Sequence, residues 1–266
     1  MATAKDLIVK PIKSADAIAF VKAHHYSGKV AFGSGVNLGV FYNGRLHGVM
    51  QFGTSVDKRK IQGLVKDTKW HEFLELNRMA FDDVLPRNSE SRALSVAWRL
   101  LRKHAPQVKW VISFADGTQC GDGTIYRAAG FVLTGIKENR SMWKMPSGEV
   151  VADFVTRQLQ GENTRKRIGF NLGESWKGFT ERTGAKRLAG FQLRYIYFLD
   201  PAYRARLTVP ELPYSEIKAR GASMYLGQRP TGAQGAVGGT PDSNLEAEVR
   251  DLPARSNNIQ DIRIVE

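Results

Sequence analysis

Apolar and polar positions alternate in two different rhythms over the first fifty residues. The run Leu7–Ile12 predicts a first strand, and Ser14–His24 has the spacing of a helix that Ser14 caps. Three residues supply the apolar face of that helix: Ile18, Phe20 and Val21. Two further apolar runs flank Asn43-Gly44, a dipeptide that favours a tight turn, so residues 37–53 are predicted to form a β-hairpin.

The middle of the chain continues with a strand and a long helix. After a short helix predicted near Thr68–Phe73, the run Leu74–Phe81 alternates like a strand and carries three polar residues, Glu75, Asn77 and Arg78. Asn88 or Ser89 can then cap an amphipathic helix. Its inward face is predicted to comprise Ala93, Leu94, Ala97, Trp98 and Leu101. The free amides at the start of such a helix favour anions.

Residues 110–131 carry the pattern most indicative of function. The apolar run Trp110–Ala115 predicts a central strand, which leads through Asp116 into a glycine-rich turn and then into a short helix, Ile125–Ala129. In open α/β sheets, ligands bind beyond the carboxyl ends of the strands, where Asp116 lies. From the residues alone, the alternative is that Asp116 only caps the helix and the glycines only connect two elements.

Strands dominate the prediction for the C-terminal half. Phe131–Ile136 and Ser141–Met145 are typical of strands, Val151–Leu159 of a helix, and Gly190–Leu199 of a dense apolar strand. Together with the N-terminal elements they predict an α/β fold, with a mixed sheet and helices on both faces. Glycine, proline, asparagine and aspartate dominate residues 228–266, which we interpret as a disordered tail.

The C-terminal region also combines basic and aromatic residues. Positive charge clusters at Thr164–Arg167 and Gly184–Arg187, around Phe170, Trp176 and Phe179. Such interleaving suits phosphate contacts with base stacking; alternatively, the aromatic residues are core and the charges a solvated face. We divide the chain into a core at 1–149, a basic and aromatic extension packed on it at 150–227, and the tail at 228–266.

Composition narrows the class of protein. The 266 residues carry a formal net charge of +13. Such a charge attracts polyanions, so nucleic acid is the first partner to consider, against a merely soluble basic protein or a binder of acidic cofactors. No run approaches the ~18 apolar residues of a membrane span, and the N-terminus lacks a signal-peptide pattern, which predicts a cytoplasmic protein. The single cysteine, Cys120, cannot form an internal disulfide, although its place in the glycine-rich turn leaves a reactive thiol open.

The order of the predicted elements resembles the GCN5-related N-acetyltransferase fold. The segment Tyr126–Phe131 matches that family best. In that family this tyrosine commonly faces the thioester sulfur, and the amides at the start of the long helix cradle the pyrophosphate of coenzyme A. The resemblance implies an acetyltransferase-like mixed sheet flanked by helices, with a basic C-terminal extension. The glycines of the family's pyrophosphate motif are absent from Arg87–Ala93, where Glu90 and Arg92 stand in their place.

Motifs spread over almost the whole ordered chain resemble a second, more specific family. They are His24-His-Tyr-Ser27, Glu75-Leu-Asn-Arg-Met79, Pro86-Arg-Asn-Ser-Glu-Ser91, Ala115-Asp-Gly with Gly-Thr-Ile-Tyr126, and Phe191-Gln-Leu-Arg-Tyr-Ile-Tyr-Phe-Leu-Asp200. Together they are similar to the Mom DNA-modification proteins of bacteriophages. The resemblance implies conversion of adenine in phage DNA to its N6-carbamoylmethyl form, protection of that DNA from host restriction enzymes, and action in the cytoplasm of the infected bacterium.

The same resemblance points to His25, Tyr26, Arg78, Ser91, Asp116 and Tyr126 as functional residues. Asp116 or His25 is expected to act as general base, Tyr126 as proton donor, and Arg78 as the group that neutralises a carbonyl oxygen or a phosphate. These four catalytic candidates should converge in one basic-rimmed cleft. Donor or substrate is expected to contact Tyr26, Asn88, Ser91 and Gly117. Nucleic acid is expected to contact Arg165, Lys166, Arg167, Lys186 and Arg187.

Residue types alone leave simpler roles open for three of these positions. Tyr126 is equally a packing residue, Arg78 a surface strand residue, and Ser91 a first-turn serine. Two other classes of function also stay open. One is an N-acetyltransferase that acts on a small molecule or a protein, and the other is a non-catalytic DNA-binding phage protein.

The product that the resemblance implies also constrains the donor. It is formally glycinamide joined to adenine through its nitrogen, which makes glycyl-tRNA the expected donor and acetyl-coenzyme A the alternative. Iron held by His25, Tyr26, Asp116 and Tyr126 is a further alternative, since imidazole, phenolate and carboxylate groups ligate iron. The expected partners are double-stranded DNA and, under the glycyl scheme, tRNA.

Overall fold

The computed structural model describes residues 3–27, 30–31, 33–55, 57–152 and 162–225. Its strands are β1 (Ile8–Pro11), β2 (Ser34–Tyr42), β3 (Arg45–Gly53), β4 (Phe73–Phe81), β5 (Trp110–Asp116), β6 (Val132–Glu138), β7 (Met142–Lys144), β8 (Val150–Ala152), β9 (Lys186–Arg187) and β10 (Phe191–Phe198). Its α-helices are α1 (Ser14–His24), α2 (Lys58–Gln62), α3 (Ser89–His104), α4 (Thr124–Ala128), α5 (Glu162–Ile168), α6 (Trp176–Thr183) and α7 (Ser215–Ala219).

Seven strands form the main sheet, in the order β1-β2-β3-β4-β5-β10-β6. Neighbouring strands are antiparallel except β4 and β5, which are parallel and pair only through Phe73–Glu75 and Trp110–Ile112 in the described register. Beyond those three residues the two strands no longer share a ladder. The mixed sheet with flanking helices confirms the predicted α/β class.

The main sheet has two covered faces, which we name the α3 face and the α1 face. On the α3 face, Leu94 and Trp98 of α3 belong to one buried cluster with Leu76 and Met79 of β4. On the α1 face, α1 packs through Ala17, Phe20 and Val21 against Val49 and Ala80. A second cluster on the α1 face contains Phe73, Trp110, Ile112, Ile196 and Tyr203. Because side chains of a strand alternate between faces, these clusters assign each strand position to one face.

The hairpin predicted for residues 37–53 is confirmed. It joins β2 to β3 with Tyr42 opposite Arg45. Asn43 and Gly44 both have positive φ angles, 48° and 78°. A two-residue turn of this kind matches the twist of the flanking strands, which explains why this local signal was sufficient to predict the hairpin.

Strand β10 lies inside the main sheet, between β5 and β6. It is antiparallel to both neighbours, with Gln192 opposite Asp116 and opposite Lys137. Strand β10 belongs to the segment 150–227, which the sequence prediction separates from the core. The boundary at 149 stays a prediction, but the main sheet takes one of its central strands from the C-terminal side of that boundary.

Along the chain, the residues between β6 and β10 form a small second unit. Its three strands are ordered β8-β7-β9, and α5 and α6 pack on them around Trp143, Phe170 and Phe179. The rings of Trp143 and Trp176 stack with centroids 4.7 Å apart. The interpretation of Phe170, Trp176 and Phe179 as a base-stacking surface is therefore wrong, because these rings fill the core of the small unit.

Three local predictions differ from the structure. Residues 68–73 do not form a helix; Thr68 instead accepts a hydrogen bond from the indole of Trp110, and the backbone enters β4. The helix that precedes β4 is α2. Ser14 does not cap α1, whose cap position is Lys13. Val151 lies in β8 rather than in a helix, and the rest of the predicted helix, residues 153–159, lies outside the described residues, as does the tail at 228–266.

In the part of the chain that the structure describes, no helix combines the length and hydropathy needed to cross a membrane.

Gly190 tests how tightly β10 is fastened to the loop after β5. A Cβ atom at residue 190 would collide with the hydroxyl of Thr118 and lie 2.8 Å from the Cα of Thr118. We expect Gly190→Ala to lower the free energy of unfolding by about 1–3 kcal/mol, because the backbone must shift. Gly63→Ala is the control, since a Cβ there meets nothing closer than 3.6 Å. Urea unfolding measures both variants; equal stabilities would contradict the packing described.

Candidate active site

A β-bulge in β4 places three polar residues on one face. Leu76 and Met79 both belong to the cluster on the α3 face although they are three residues apart, which a regular strand would not allow. The bulge opposite Gln51 and Phe52 absorbs the extra residue. Consequently Glu75, Asn77 and Arg78, which we name the polar stripe, all project toward the α1 face.

The polar stripe is buried rather than solvated. Glu75, Asn77 and Arg78 are each at most 2% exposed. Arg78 donates from Nη1 to its neighbour's carbonyl, Asn77 O, at 2.7 Å, and Asn77 donates from Nδ2 to Thr54 O at 3.3 Å. The alternative of Arg78 as a surface residue is therefore wrong. Desolvated charged and amide groups are costly to fold, so their burial at one place marks a candidate site.

His25 ends α1 on the same face as the polar stripe. Its backbone amide closes the last turn on Val21 O at 2.9 Å, and its ring is buried. The ring atom Nδ1 accepts from the amide of Ser27 at 3.2 Å, with the Ser27 hydroxyl at 2.8 Å. In the other tautomer, Nδ1 donates to the Ser27 hydroxyl and Nε2 carries the lone pair that a general base needs. Tyr26 is half exposed and lies against the ring, with centroids 4.3 Å apart.

Asp116 shapes the glycine-rich loop. Its carboxylate accepts from the amide of Thr118 at 2.9 Å, and its carbonyl accepts from the amide of Cys120 at 2.8 Å. The side chain is fully buried. Burial raises the pKa of the Asp116 carboxyl above its ordinary value, while hydrogen bonds from Thr118, Gln119 and Asn139 lower it in part. A raised pKa makes the ionised carboxyl a stronger proton acceptor, but the local bonding first of all holds the loop.

Tyr126 lies on the opposite face of the sheet from His25 and Arg78. It is buried in the cluster of the α3 face, with its ring against Phe131 and Tyr195. Its hydroxyl accepts from Ser113 Oγ at 2.8 Å. The expectation that His25, Arg78, Asp116 and Tyr126 share one cleft is therefore wrong. Tyr126 reaches the sheet from the α3 face, whereas Arg78 projects toward the α1 face.

The divergence of β4 and β5 connects the two faces. Ser113, the residue directly after the last ladder position of β5, bonds Tyr126 and also lies 3.4 Å from the carbonyl of Leu76 in β4. The Tyr126 hydroxyl thus approaches the gap between the strands from the α3 face, while Glu75 flanks that gap on the α1 face. Two reactants that enter from opposite faces can meet at this gap.

The start of α3 is the place where the sequence predicts an anion site. Asn88 occupies the cap position in a left-handed conformation, φ 69°, without a side-chain cap, so neither Asn88 nor Ser89 caps the helix as predicted. Ser91 donates its hydroxyl to Asn88 O at 3.2 Å. Glu90 adds a carboxylate to the first turn. This first turn fits the pyrophosphate of coenzyme A poorly, because the carboxylate repels it and the glycines are absent.

Gly117 serves packing in the described structure. Its amide donates to Phe191 O at 2.8 Å, which extends the pairing of β5 with β10. A Cβ at residue 117 would lie 3.3 Å from Met224 and from that carbonyl. A role of Gly117 in binding donor or substrate stays a prediction.

The basic residues of the small unit differ in whether they pair with carboxylates or lie exposed. Lys166 and Arg167 form ion pairs with Glu162 and Glu149. Arg187 lies over the ring of Trp143, 5.0 Å from its centroid, and both Arg187 and Lys186 are exposed. Exposed ion pairs are weak, so all of these cations, with Arg165, can still meet a polyanion.

The proposed iron ligands do not form a set. His25 and Tyr126 lie on different faces of the main sheet, and Asp116 bonds its own loop. Within residues 3–152 and 162–225, apart from the four single positions omitted there, no three His, Cys, Asp or Glu side chains are grouped to hold a metal ion. The iron hypothesis at His25, Tyr26, Asp116 and Tyr126 is therefore not retained.

Sequence reasoning missed three members of the site, Glu75, Asn77 and Gln51. The motifs contain Glu75 and Asn77 without giving them a function, and Gln51 lies in the predicted hairpin. Gln51 lies opposite Arg78 and donates to the side chain of Asn37 at 2.8 Å. The available signal was a polar residue at alternate positions of two otherwise apolar neighbouring strands.

Comparison with known proteins places this chain among relatives. The model of the Mom protein family matches residues 6–216. The methylcarbamoylase Mom of Escherichia phage Mu is 35% identical over 204 residues, which cover 76% of this chain and 80% of that protein.

Solved structures give a weaker likeness. The ribosomal-protein-S18-alanine N-acetyltransferase from Escherichia coli matches with a TM-score of 0.38 at 11% identity, over 73% of this chain and 94% of that one. The polyamine N-acetyltransferase of Drosophila melanogaster matches with a TM-score of 0.39 at 11% identity, over 73% of this chain and 100% of that one. These structural likenesses carry no argument about donor or substrate.

The raised pKa of Asp116 predicts a pH-dependent cost of folding. The folded state keeps this proton to higher pH than the unfolded chain does, so stability falls as the pH rises above the ordinary value of 3.8 toward the folded pKa. Asp116→Asn removes the titration and keeps an oxygen for the Thr118 amide. We expect the variant to gain stability relative to the unmodified protein across that pH range, as measured by urea unfolding.

The control for this prediction is Asp57→Asn. Asp57 is exposed and likewise accepts from a backbone amide, that of Lys60. The difference in the free energy of unfolding between Asp57→Asn and the unmodified protein should not rise with pH in the same way. A constant or falling difference for Asp116→Asn would contradict the account of a desolvated carboxyl.

Proposed function

The chain belongs to the Mom protein family, and from this membership we propose that it is a transferase that converts adenine in DNA to its N6-carbamoylmethyl form. In the infected bacterium this modification would protect phage DNA from restriction. The observation that carries the proposal is the 35% identity to the phage Mu methylcarbamoylase over 204 residues. The family match, over residues 6–216, runs from before β1 into α7. It therefore contains the whole main sheet, with the polar stripe and Tyr126 on either side of the gap between β4 and β5.

The chemistry of the acceptor fits the buried polar groups. The exocyclic amine of adenine is a poor nucleophile and lies inside the duplex, so the enzyme must extrude the base and activate the amine. We propose that the base enters from the α1 face, where His25 can take a proton from the amine through Nε2. Arg78, with its fixed guanidinium, can stabilise negative charge on the acyl oxygen in a desolvated setting.

The atoms of the product favour an aminoacyl donor. An acetyl group contains no nitrogen, whereas a glycyl ester contains every atom of the –CH2–CO–NH2 substituent. In the proposed sequence, N6 attacks the glycyl carbonyl and the ester oxygen of the tRNA leaves with a proton. The new α-amine then attacks C6, the original C6–N6 bond breaks, and that nitrogen becomes the amide of the isomeric product. The poor fit of the α3 start to a pyrophosphate agrees with this donor.

His25 provides the test of the acceptor side. We expect His25→Asn to lower modification by about 10²- to 10⁴-fold, the usual contribution of a general base, because Asn keeps an acceptor for the Ser27 amide but cannot titrate. The adjacent exposed residue gives the control, His24→Ala, which should keep full modification. Mass spectrometry of nucleosides from bacteria that express each full-length variant measures the product.

Three results would decide between the classes of function. The unmodified protein should yield an adenosine in which –CH2–CO–NH2 replaces one hydrogen. No new nucleoside would contradict the proposed reaction, and modification with acetyl-coenzyme A alone would contradict the glycyl donor. Equal loss in His25→Asn and His24→Ala, at unchanged melting temperature, would contradict the role of His25.

A further inference from the structure

Arg194 is a cation of the main sheet that the proposed reaction does not use. It belongs to the motif Phe191–Asp200 and lies in β10, opposite Phe114 and Gly135. Its neighbours Leu193 and Tyr195 pack on the α3 face, so Arg194 projects to the α1 face. Thr134 fixes the guanidinium: Arg194 Nε donates to Thr134 Oγ1 at 3.0 Å and Nη2 to Thr134 O at 2.7 Å.

Arg194 lies over Gly135 and close to a second cation, Lys137. A Cβ at Gly135 would lie 3.3 Å from the guanidinium, so the glycine keeps that space clear. Lys137, two residues further along β6, projects to the same face and is exposed. Diagonal neighbours of this kind lie roughly 7–8 Å apart. Among the described residues neither Arg194 nor Lys137 forms an ion pair with a carboxylate.

Two carboxyls lie near this pair: Glu138, which follows Lys137 on β6 and pairs with Arg140, and Asp116, which lies opposite Gln192. Because burial raises the pKa of Asp116, that carboxyl opposes an incoming anion less than an ordinary aspartate would. Arg194 is held by Thr134, Lys137 is exposed beside it, and neither has a carboxylate partner among the described residues, so the pair suits a polyanion such as a phosphate backbone.

Phe114 lies between the cation pair and the polar stripe. It is the β5 residue opposite Arg194, projects to the α1 face and is only half-buried at the edge of the cluster there. On the other side of Phe114, across the gap, lie Glu75 and Arg78 of β4. An aromatic ring with cations on one side and a buried polar site on the other offers a base a stacking surface.

We propose that Arg194 and Lys137 bind phosphates of the DNA strand next to the modified adenine, and that Phe114 stacks a base of that strand. This inference rests on the proposed function and deepens it. The strand is the acceptor DNA rather than the donor RNA, because in the proposed reaction His25 receives the adenine on this same α1 face. The two nucleic acids would thus bind opposite faces and meet at the gap between β4 and β5.

The experiment measures binding as a function of salt. A fluorescent single-stranded DNA oligonucleotide is titrated with the full chain carrying Arg194→Gln and Lys137→Gln together, across a range of salt concentrations. Each lost phosphate contact lowers the slope of log K against log salt by about 0.7 on a single strand, so we expect a loss of about 1.4. Phe114→Leu, which keeps apolar volume, should weaken binding by about tenfold without changing the slope.

The matched control removes the same charge elsewhere. Arg99→Gln with Lys103→Gln deletes two exposed cations of α3 and should leave the slope unchanged. Melting temperatures show that all variants fold. Equal slopes for the two double variants would overturn the proposal. The same titration with deacylated tRNA would also overturn it if the slope changed for tRNA and not for the DNA. Nucleoside analysis is separate: a slope change without DNA modification would leave the phosphate site standing and refute the proposed reaction.

Discussion

The candidate site depends on one extra residue in β4. Without the bulge opposite Gln51, Leu76 and Met79 could not both enter the core of the α3 face while Glu75 and Arg78 both point away from it. The bulge therefore lets one strand serve two demands at once, an apolar core on one side and buried polar groups on the other. Burial of Arg78 costs free energy of folding. The apolar packing of Leu76 and Met79 on the other face of β4 offsets this cost.

The candidate residues are divided between the two faces of the main sheet. The pairing of β4 with β5 stops after three residues, and Tyr126 approaches the resulting gap from the α3 face while His25 and the polar stripe lie on the α1 face. A single cleft does not describe this arrangement. It instead suits two substrates that are kept apart until their reacting groups meet between the strands, an arrangement that limits loss of an activated donor to water.

Local patterns were sufficient to predict much of this fold, and long-range packing explains the rest. Asn43-Gly44 predicted its hairpin because the turn geometry depends on two residues, and the apolar stripe from Ala93 to Leu101 predicted α3 because helix spacing is local. By contrast, no local signal shows that β10 lies between β5 and β6, that Phe179 is core, or that Thr68 bonds Trp110. Motifs named the candidates His25, Arg78, Asp116 and Tyr126. Their distribution over two faces could not be predicted, because it depends on the order of the strands and on the bulge.

The central claim is that the acceptor base and the donor reach the reaction from opposite faces. Photo-crosslinking tests it most directly, with a DNA oligonucleotide that carries a photoreactive analogue at the target adenine and the full-length protein. Peptide mapping should place the crosslinks on the α1 face, at Tyr26, Phe114 or the polar stripe. Crosslinks confined to residues 88–91 or to Tyr126 would place the base on the α3 face and contradict the account.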